Sequence, residues 1–228
     1  MTETFVLHKD LICHYSKYFK KALEGNFEEA KSGVVKLDDV DIRAFKSLVH
    51  WFYTQKIVAA DSSGVEGASP AAIMEIQKAL NPRYQTERAI DPFIKLYLLS
   101  DRLDIKRCRL DTFRALHDSL HKGSHAVLPS YGNLNLVWNG LPPTSGLRKY
   151  IIDMFGWYTQ AHEEAWRTGM VRSRLERECL ISIMAVICRK HADAVYGRSP
   201  PWIVDVCQYH EHESEGEKKA CCIKSEPA

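Results

Sequence analysis

The chain has 228 residues, 45% of them apolar and 26% charged, with a net charge of +2 and a pI near 8.1. That length suits one large domain or a domain of ordinary size with an appended piece, and the apolar share can build a core. The near balance of charge excludes a strong overall field and argues against nucleic acid or an anionic membrane as the main partner.

The cysteines fall at 13, 108, 179, 188, 207, 221 and 222. An odd, scattered set is no disulfide framework, and a reducing compartment is the simple inference. No charged-then-apolar leader precedes the first element, no run of eighteen apolar residues occurs, and the last residues carry no lipidation or retention signal. The expectation is a soluble intracellular protein of the cytoplasm or nucleus.

In chain order, residues 5–8 alternate like a short half-buried strand, with Phe5 and Leu7 to one side and Val6 to the other. From Asp10 the period becomes helical: Leu11, Tyr15, Phe19 and Leu23 recur at four-residue steps beside Tyr18 and Ala22. Ser16 interrupts that face as a cap, which gives strand, helix, bend, helix.

Phe5, Leu7, His8 and Lys9, then Ile12, then Ser16, Tyr18 and Phe19 match without a gap the pattern F-x-V-H-K, apolar, S-x-Y-F. Leu7 stands where valine is usual. On these residues the stretch resembles the start of BTB/POZ domains. The resemblance implies an α+β fold with helices packed on a small β-sheet, and protein–protein interaction as the work of the domain. Members of that family normally begin with another strand, and only residues 1–4 precede Phe5 here. Either that first strand is absent or the chain is a truncated form, and the expected consequence is an unpaired sheet edge.

Gly33 marks a turn, and Val34, Val35 and Leu37 read as a brief strand able to pair with residues 5–8. Asp41 is placed to cap a helix with the stripe Ile42, Phe45, Leu48, Val49 and Phe52, widened by Trp51 and Tyr53. Residues 51–57 resemble the family's W-x-Y-T-G-K-I, with Gln55 at a turn where glycine would reach positive φ cheaply.

Residues 59–72 turn to alanine, serine and glycine without period, a flexible insertion. Ser69 and Pro70 then open a short helix carrying Ile73, Ile76 and Leu80, ended near Asn81 and Pro82. From Asp91 and Pro92 a helix with Phe93, Leu96, Tyr97, Leu99 and Leu103 resembles the family's L-L-x-x-A-D-x-L-D segment, with Asp101 and Asp104 on matching positions. Another, over residues 105–120, buries Cys108, Phe113, Leu116 and Leu120 and stops at Gly123. Residues 102–122 hold six Lys/Arg and three Asp, a mixture that reads as a solvated face rather than a DNA surface.

Beyond it, Leu134, Val137 and Trp138 suggest a short helix broken by Gly140, Pro142 and Pro143. Ser145 starts one with Leu147, Ile151, Met154, Phe155 and Tyr158 inward. A longer helix over 171–196 has the stripe Leu175, Cys179, Ile183, Val186 and Ile187, stopped by Gly197, Pro200 and Pro201. The order of these pieces, with S-x-L-R at 145–148 and C-x-Y-H-E-H at 207–212, resembles the C-terminal region of BTB proteins from filamentous fungi. The expected organisation is a BTB/POZ domain over 4–122 with an insertion at 59–90, an all-helical C-terminal region over 127–206 docked on it, and a charged tail over 207–228 that is unordered beyond His212.

Catalytic motifs fail. There is no G-x-S-x-G, no phosphate-cradling glycine loop and no G-x-G-x-x-G. The run from His162 begins like a zinc-protease helix but places Trp166 where the second histidine must stand. His8 reads as structural, Cys13 and Cys108 as core residues. Cys207, His210 and His212, with Cys221 or Cys222, offer zinc's preferred donors, but their spacing is unlike the common paired patterns. The expectation is no bound metal and no cofactor.

What remains is partner binding. In the family the chain resembles, substrate adaptors insert an apolar-x-Glu turn into a groove on a cullin scaffold. Phe27 and Glu29 occupy such a turn before Val35. The resemblance implies an adaptor joining a cullin-type ubiquitin ligase to a client, with Phe27 and Glu29 at the scaffold and His50, Tyr53 and Tyr97 nearby. The alternative is self-association or pairing with another BTB protein through helices at residues 11–15, without a ligase. A metal- or thiol-dependent enzyme using the C-terminal Cys/His cluster is a distant third.

Overall fold

In the computed structural model the structure describes residues 3–57, 82–121, 128–158, 175–194, 199–212 and 214–223, with side chains described except at 82–89, 193–194 and 222–223. The chain divides into two units, Met1–His125 and Ala126–Ala228.

The first unit holds α1 (Lys9–Tyr15), α2 (Lys17–Glu24), α3 (Glu28–Ser32), α4 (Ile42–Thr54), α5 (Pro82–Arg102) and α6 (Lys106–His121). Its centre is Leu48, Trp51 and Phe52 of α4 against Leu96 and Leu99 of α5 and Leu103 just beyond its end, closed by Phe19 and Leu23 of α2 and by Cys108 of α6. Ser16 ties the halves of this unit together. Fully buried between α1 and α2, its Oγ accepts from the Phe19 amide at 3.1 Å and donates to the Leu103 carbonyl at 2.6 Å. The expected cap is thus also a tertiary hydrogen bond at the end of α5.

The expected small sheet is not there. Among the described residues no strand occurs, and the protein is helical rather than α+β. The alternation at residues 5–8 and 34–37 has another cause. Phe5, Leu7, Val35 and Leu37 pack singly against the helical core, Phe5 with its ring 4.9 Å from that of Phe45. No backbone hydrogen bond joins the two segments among the described residues. Three or four alternating residues can anchor a segment to a core without a paired neighbour, and pairing is what makes a strand.

Gln55, where glycine was usual, does take the left-handed conformation at φ 55°, and its Nε2 donates to the Trp51 and Phe52 carbonyls at 3.1 and 3.3 Å. The strain of an L residue at positive φ is offset by satisfying the last carbonyls of α4. Pro92, expected at a helix start, lies well inside α5, where it removes one backbone donor without ending the helix. The composition shift at 59–72, the helix at 69–80, Gly123, the run 162–166 and Gly197 lie outside the described residues.

Asp41 caps α4, its Oδ1 accepting from the Arg43 and Ala44 amides at 2.9 and 3.2 Å, while Oδ2 meets Lys95 Nζ at 3.1 Å. Lys95 also holds Asp91 at 2.9 Å. Burial pulls the Asp41 carboxyl upward, but the Lys95 hydrogen bond and the two amides outweigh it, and its pKa is lowered. A carboxyl depressed in the fold contributes stability that is present above about pH 3.9 and is lost as pH falls through the folded value. Asp41→Ala should cost about 1–2 kcal/mol at neutral pH, most of it from the cap. Urea melts at pH 7 and pH 2.5 check this: the gap between parent and variant should shrink in acid.

The second unit holds α7 (Tyr131–Gly140), α8 (Gly146–Tyr158), α9 (Arg177–Ala194), the short α10 (Pro201–Val204), a 3-10 turn (Val206–Tyr209) and α11 (Glu215–Ile223). Leu147, Tyr150, Ile151 and Met154 of α8 are fully buried, and Cys179, Ile183, Val186 and Ile187 of α9 are buried with Leu175. Tyr209 of the 3-10 turn is buried too, donating from its hydroxyl to Asp153 Oδ2 at 2.8 Å with its ring 5.2 Å from that of Tyr150. Residues 215–223, expected as unordered tail, form a helix capped by Ser214, whose Oγ accepts from the Glu217 amide at 3.1 Å. No helix among the described residues is long and apolar enough to cross a membrane.

Candidate functional site

The partner-binding residues read from the sequence all fall in the first unit. Phe27 is the residue just before α3 and is 59% exposed. Its ring lies over Gly25, close enough that a Cβ there would come within 3.1 Å of the ring and 2.4 Å of the Lys21 carbonyl oxygen. A Cβ at this position would clash first with that carbonyl oxygen, while the ring would need to move only slightly. Glu28 and Glu29 follow in the first turn of α3, where the unpaired amides favour negative charge. The result is an aromatic ring laid over Gly25 and still more than half in solvent, with carboxylates beside it, between two helices.

His50 and Tyr53 lie on α4, both exposed, Tyr53 at 49%. The Tyr53 hydroxyl is already engaged, 2.8 Å from His8 Nδ1. That contact gives His8 the structural part expected of it, fastening the segment before α1 to the end of α4. Tyr97 is different: it is buried, at 6% exposure. An aromatic residue near the end of a helical stripe reads the same whether it closes the core or leaves it.

Apolar side chains outside the sequence-predicted set are also exposed. Val6 stands at 93% and Val34 at 58%, one on each segment that was expected to pair. Their signal was the alternation itself, which sends every second residue away from the core.

The second unit holds a site of another kind. Cys207, His210, His212 and Cys221 converge so that one donor atom of each lies within 4.8 Å of the others. Cys207 comes from the 3-10 turn, whose start is fixed by Asp205 Oδ1 accepting from the Cys207 amide at 2.9 Å. His210 follows in extended backbone, and Cys221 reaches back from the last turn of α11, its Sγ 3.3 Å from His210 Nε2. Both ring nitrogens of His212 are buried without a hydrogen-bond partner. Three of these residues were candidates by sequence, and Cys221 was one of two alternatives for a fourth. The side chain of Cys222 lies outside the described residues.

Three other cysteines are poorly placed for thiol chemistry. Burial pushes the Cys108 thiol up to about 12 and that of Cys179 to about 11, and it also raises Cys13. Such groups are thiols at neutral pH, packed as small apolar side chains.

Residues 1–87 match the family model of the BTB/POZ domain. No curated protein and no solved structure matches the chain. BTB/POZ domains are protein–protein interaction modules, in general non-catalytic.

Proposed function

We propose that this chain, which carries a BTB/POZ domain over residues 1–87, works as an adaptor whose domain docks on a cullin-type ubiquitin-ligase scaffold. The observation that supports this reading above others is Phe27: an aromatic ring 59% exposed on a constrained turn, followed by Glu29. A large apolar side chain left more than half in solvent between two helices suits insertion into a groove, where a single aromatic anchor carries much of the binding energy. His50 and Tyr53 are the other exposed members of the proposed contact.

Phe27→Ala should weaken binding to a purified cullin by about thirtyfold or more, the equivalent of about 2 kcal/mol at an interface hot spot. It should leave the melting temperature nearly unchanged, because more than half of the side chain is already in solvent. Calorimetric binding and thermal melting on the same variant test both statements. A parent that does not bind a cullin, or a variant that melts far earlier than the parent, removes the adaptor reading.

Self-association is the second reading, supported by Val6 and Val34 exposed on segments that make no backbone ladder among the described residues. It requires a dimer by light scattering that Val6→Asp dissociates.

A further inference from the structure

We propose that Cys207, His210, His212 and Cys221 bind one zinc ion, which closes the C-terminal end of the chain. The donor set is two thiols and two imidazoles, the combination typical of tetrahedral zinc. Zinc–sulfur bonds of about 2.3 Å and zinc–nitrogen bonds of about 2.0–2.1 Å place the ligand atoms of a tetrahedron about 3.3–3.8 Å apart. Cys221 Sγ and His210 Nε2 stand at 3.3 Å, and all four donors lie within 4.8 Å, so closing the shell takes side-chain shifts of about 1 Å or less.

The surroundings point to a cation independently of the spacing. His212 has two buried ring nitrogens with no hydrogen-bond partner, and a buried polar atom left unsatisfied is destabilising. A metal takes one of them directly. Two thiolates balance the double charge of zinc, so the filled site is neutral and suits its half-buried position.

Two of the ligands are also held from behind. The segment 207–210 sits on Tyr209, which is anchored to Asp153 and Tyr150, and Lys149 Nζ reaches Gln208 Oε1 at 2.6 Å. α11 is a nine-residue helix whose sole buried side chain among those described is Cys221. The ion ties that helix to the platform by joining Cys221 to Cys207, His210 and His212. With four protein ligands no coordination position is left for a substrate, which makes the site structural rather than catalytic. This reverses what the spacing alone implied, since the fourth ligand becomes visible only when α11 folds back on the turn.

The test uses the full chain, purified without chelator, equilibrated with buffered zinc and analysed for metal by mass spectrometry. About one zinc per chain is expected, and Cys207→Ser and His212→Asn should each weaken zinc binding by more than about a hundredfold. Because either change could unfold the C-terminal end, alkylation of the parent protein is mapped in parallel. Zinc should protect Cys207 and Cys221 and chelation should expose them, while Cys188, exposed on α9, reacts in both states. Three results would each overturn the proposal: no zinc retained, zinc retained at one per chain in the Cys207→Ser/His212→Asn double variant, or no change in the labelling of Cys207 and Cys221 on chelation.

Discussion

Trp51→Ala should lower the stability of the first unit by about 3–5 kcal/mol. Trp51 is fully buried in α4, with the Tyr15 ring edge-on at 5.1 Å and Phe52 beside it. Its indole Nε1 donates to Asp111 Oδ2 at 3.1 Å, which links α4 to α6. Truncation therefore leaves a large cavity at the meeting point of three helices and strips Asp111 of one donor, although Arg107 Nε remains 3.4 Å from the same oxygen. Trp51→Phe separates the two effects: it keeps most of the apolar volume and loses the hydrogen bond, at about 1–2 kcal/mol. Since a domain of this size is stable by about 5–15 kcal/mol, the alanine variant should lose a large share of its stability and the phenylalanine variant a much smaller one. Urea denaturation of both checks the order. Equal losses would mean that the hydrogen bond, not the volume, dominates at this site.

The same comparison bears on partner binding. Phe27 and Trp51 are both aromatic and both fall in stretches that resemble the family, yet one is 59% exposed and the other has no exposure. Periodicity separates them: Trp51 falls within the stripe of α4, whereas Phe27 follows a glycine between helices and belongs to no stripe. Where the period of 3.6 extended over three turns or more, the helix and its buried face were legible. The stripes Ile42 to Phe52 and Leu175 to Ile187, and the caps at Ser16 and Asp41, are of this kind.

Short patterns failed for a physical reason. Alternation over residues 5–8 or 34–37 reports which side chains face a core but not whether a backbone neighbour is present, and the family's usual sheet filled that gap wrongly. Pro92 misplaced the start of α5 because a proline inside a helix and one at its first turn look alike when the preceding residues are polar. The Cys/His cluster was legible as a list of donors and illegible as geometry. His210 and His212 are two apart in extended backbone, and Cys221 is brought to them only by a helix whose sequence, rich in lysine and glutamate, carries no apolar stripe.

Gly146→Ala should destabilise the second unit by about 3 kcal/mol, at or above the upper end of ordinary overpacking. Gly146 opens α8, and a Cβ built on it would lie 1.9 Å from the Tyr209 carbonyl oxygen and 2.4 Å from its carbonyl carbon. The obstructing atoms are backbone, so no rotamer change relieves the clash. Either the 3-10 turn lifts off α8 or the first turn of α8 unwinds. In the first case the Tyr209 hydroxyl is drawn away from Asp153, and Cys207 and His210 move with the same turn. The loss should therefore appear both as a lower melting temperature and as weaker retention of zinc, with α9 and its packing on α8 less affected. Gly132→Ala is the control. A Cβ there meets only Ser130 Oγ at 3.4 Å, and alanine in place of glycine in a helix favours the fold by about 0.5–1 kcal/mol. Thermal melts of the two variants should move in opposite directions. If Gly146→Ala melts with the parent, the turn bearing Cys207 and His210 does not depend on this close approach, and its support comes from side-chain contacts such as those of Tyr209 and Gln208.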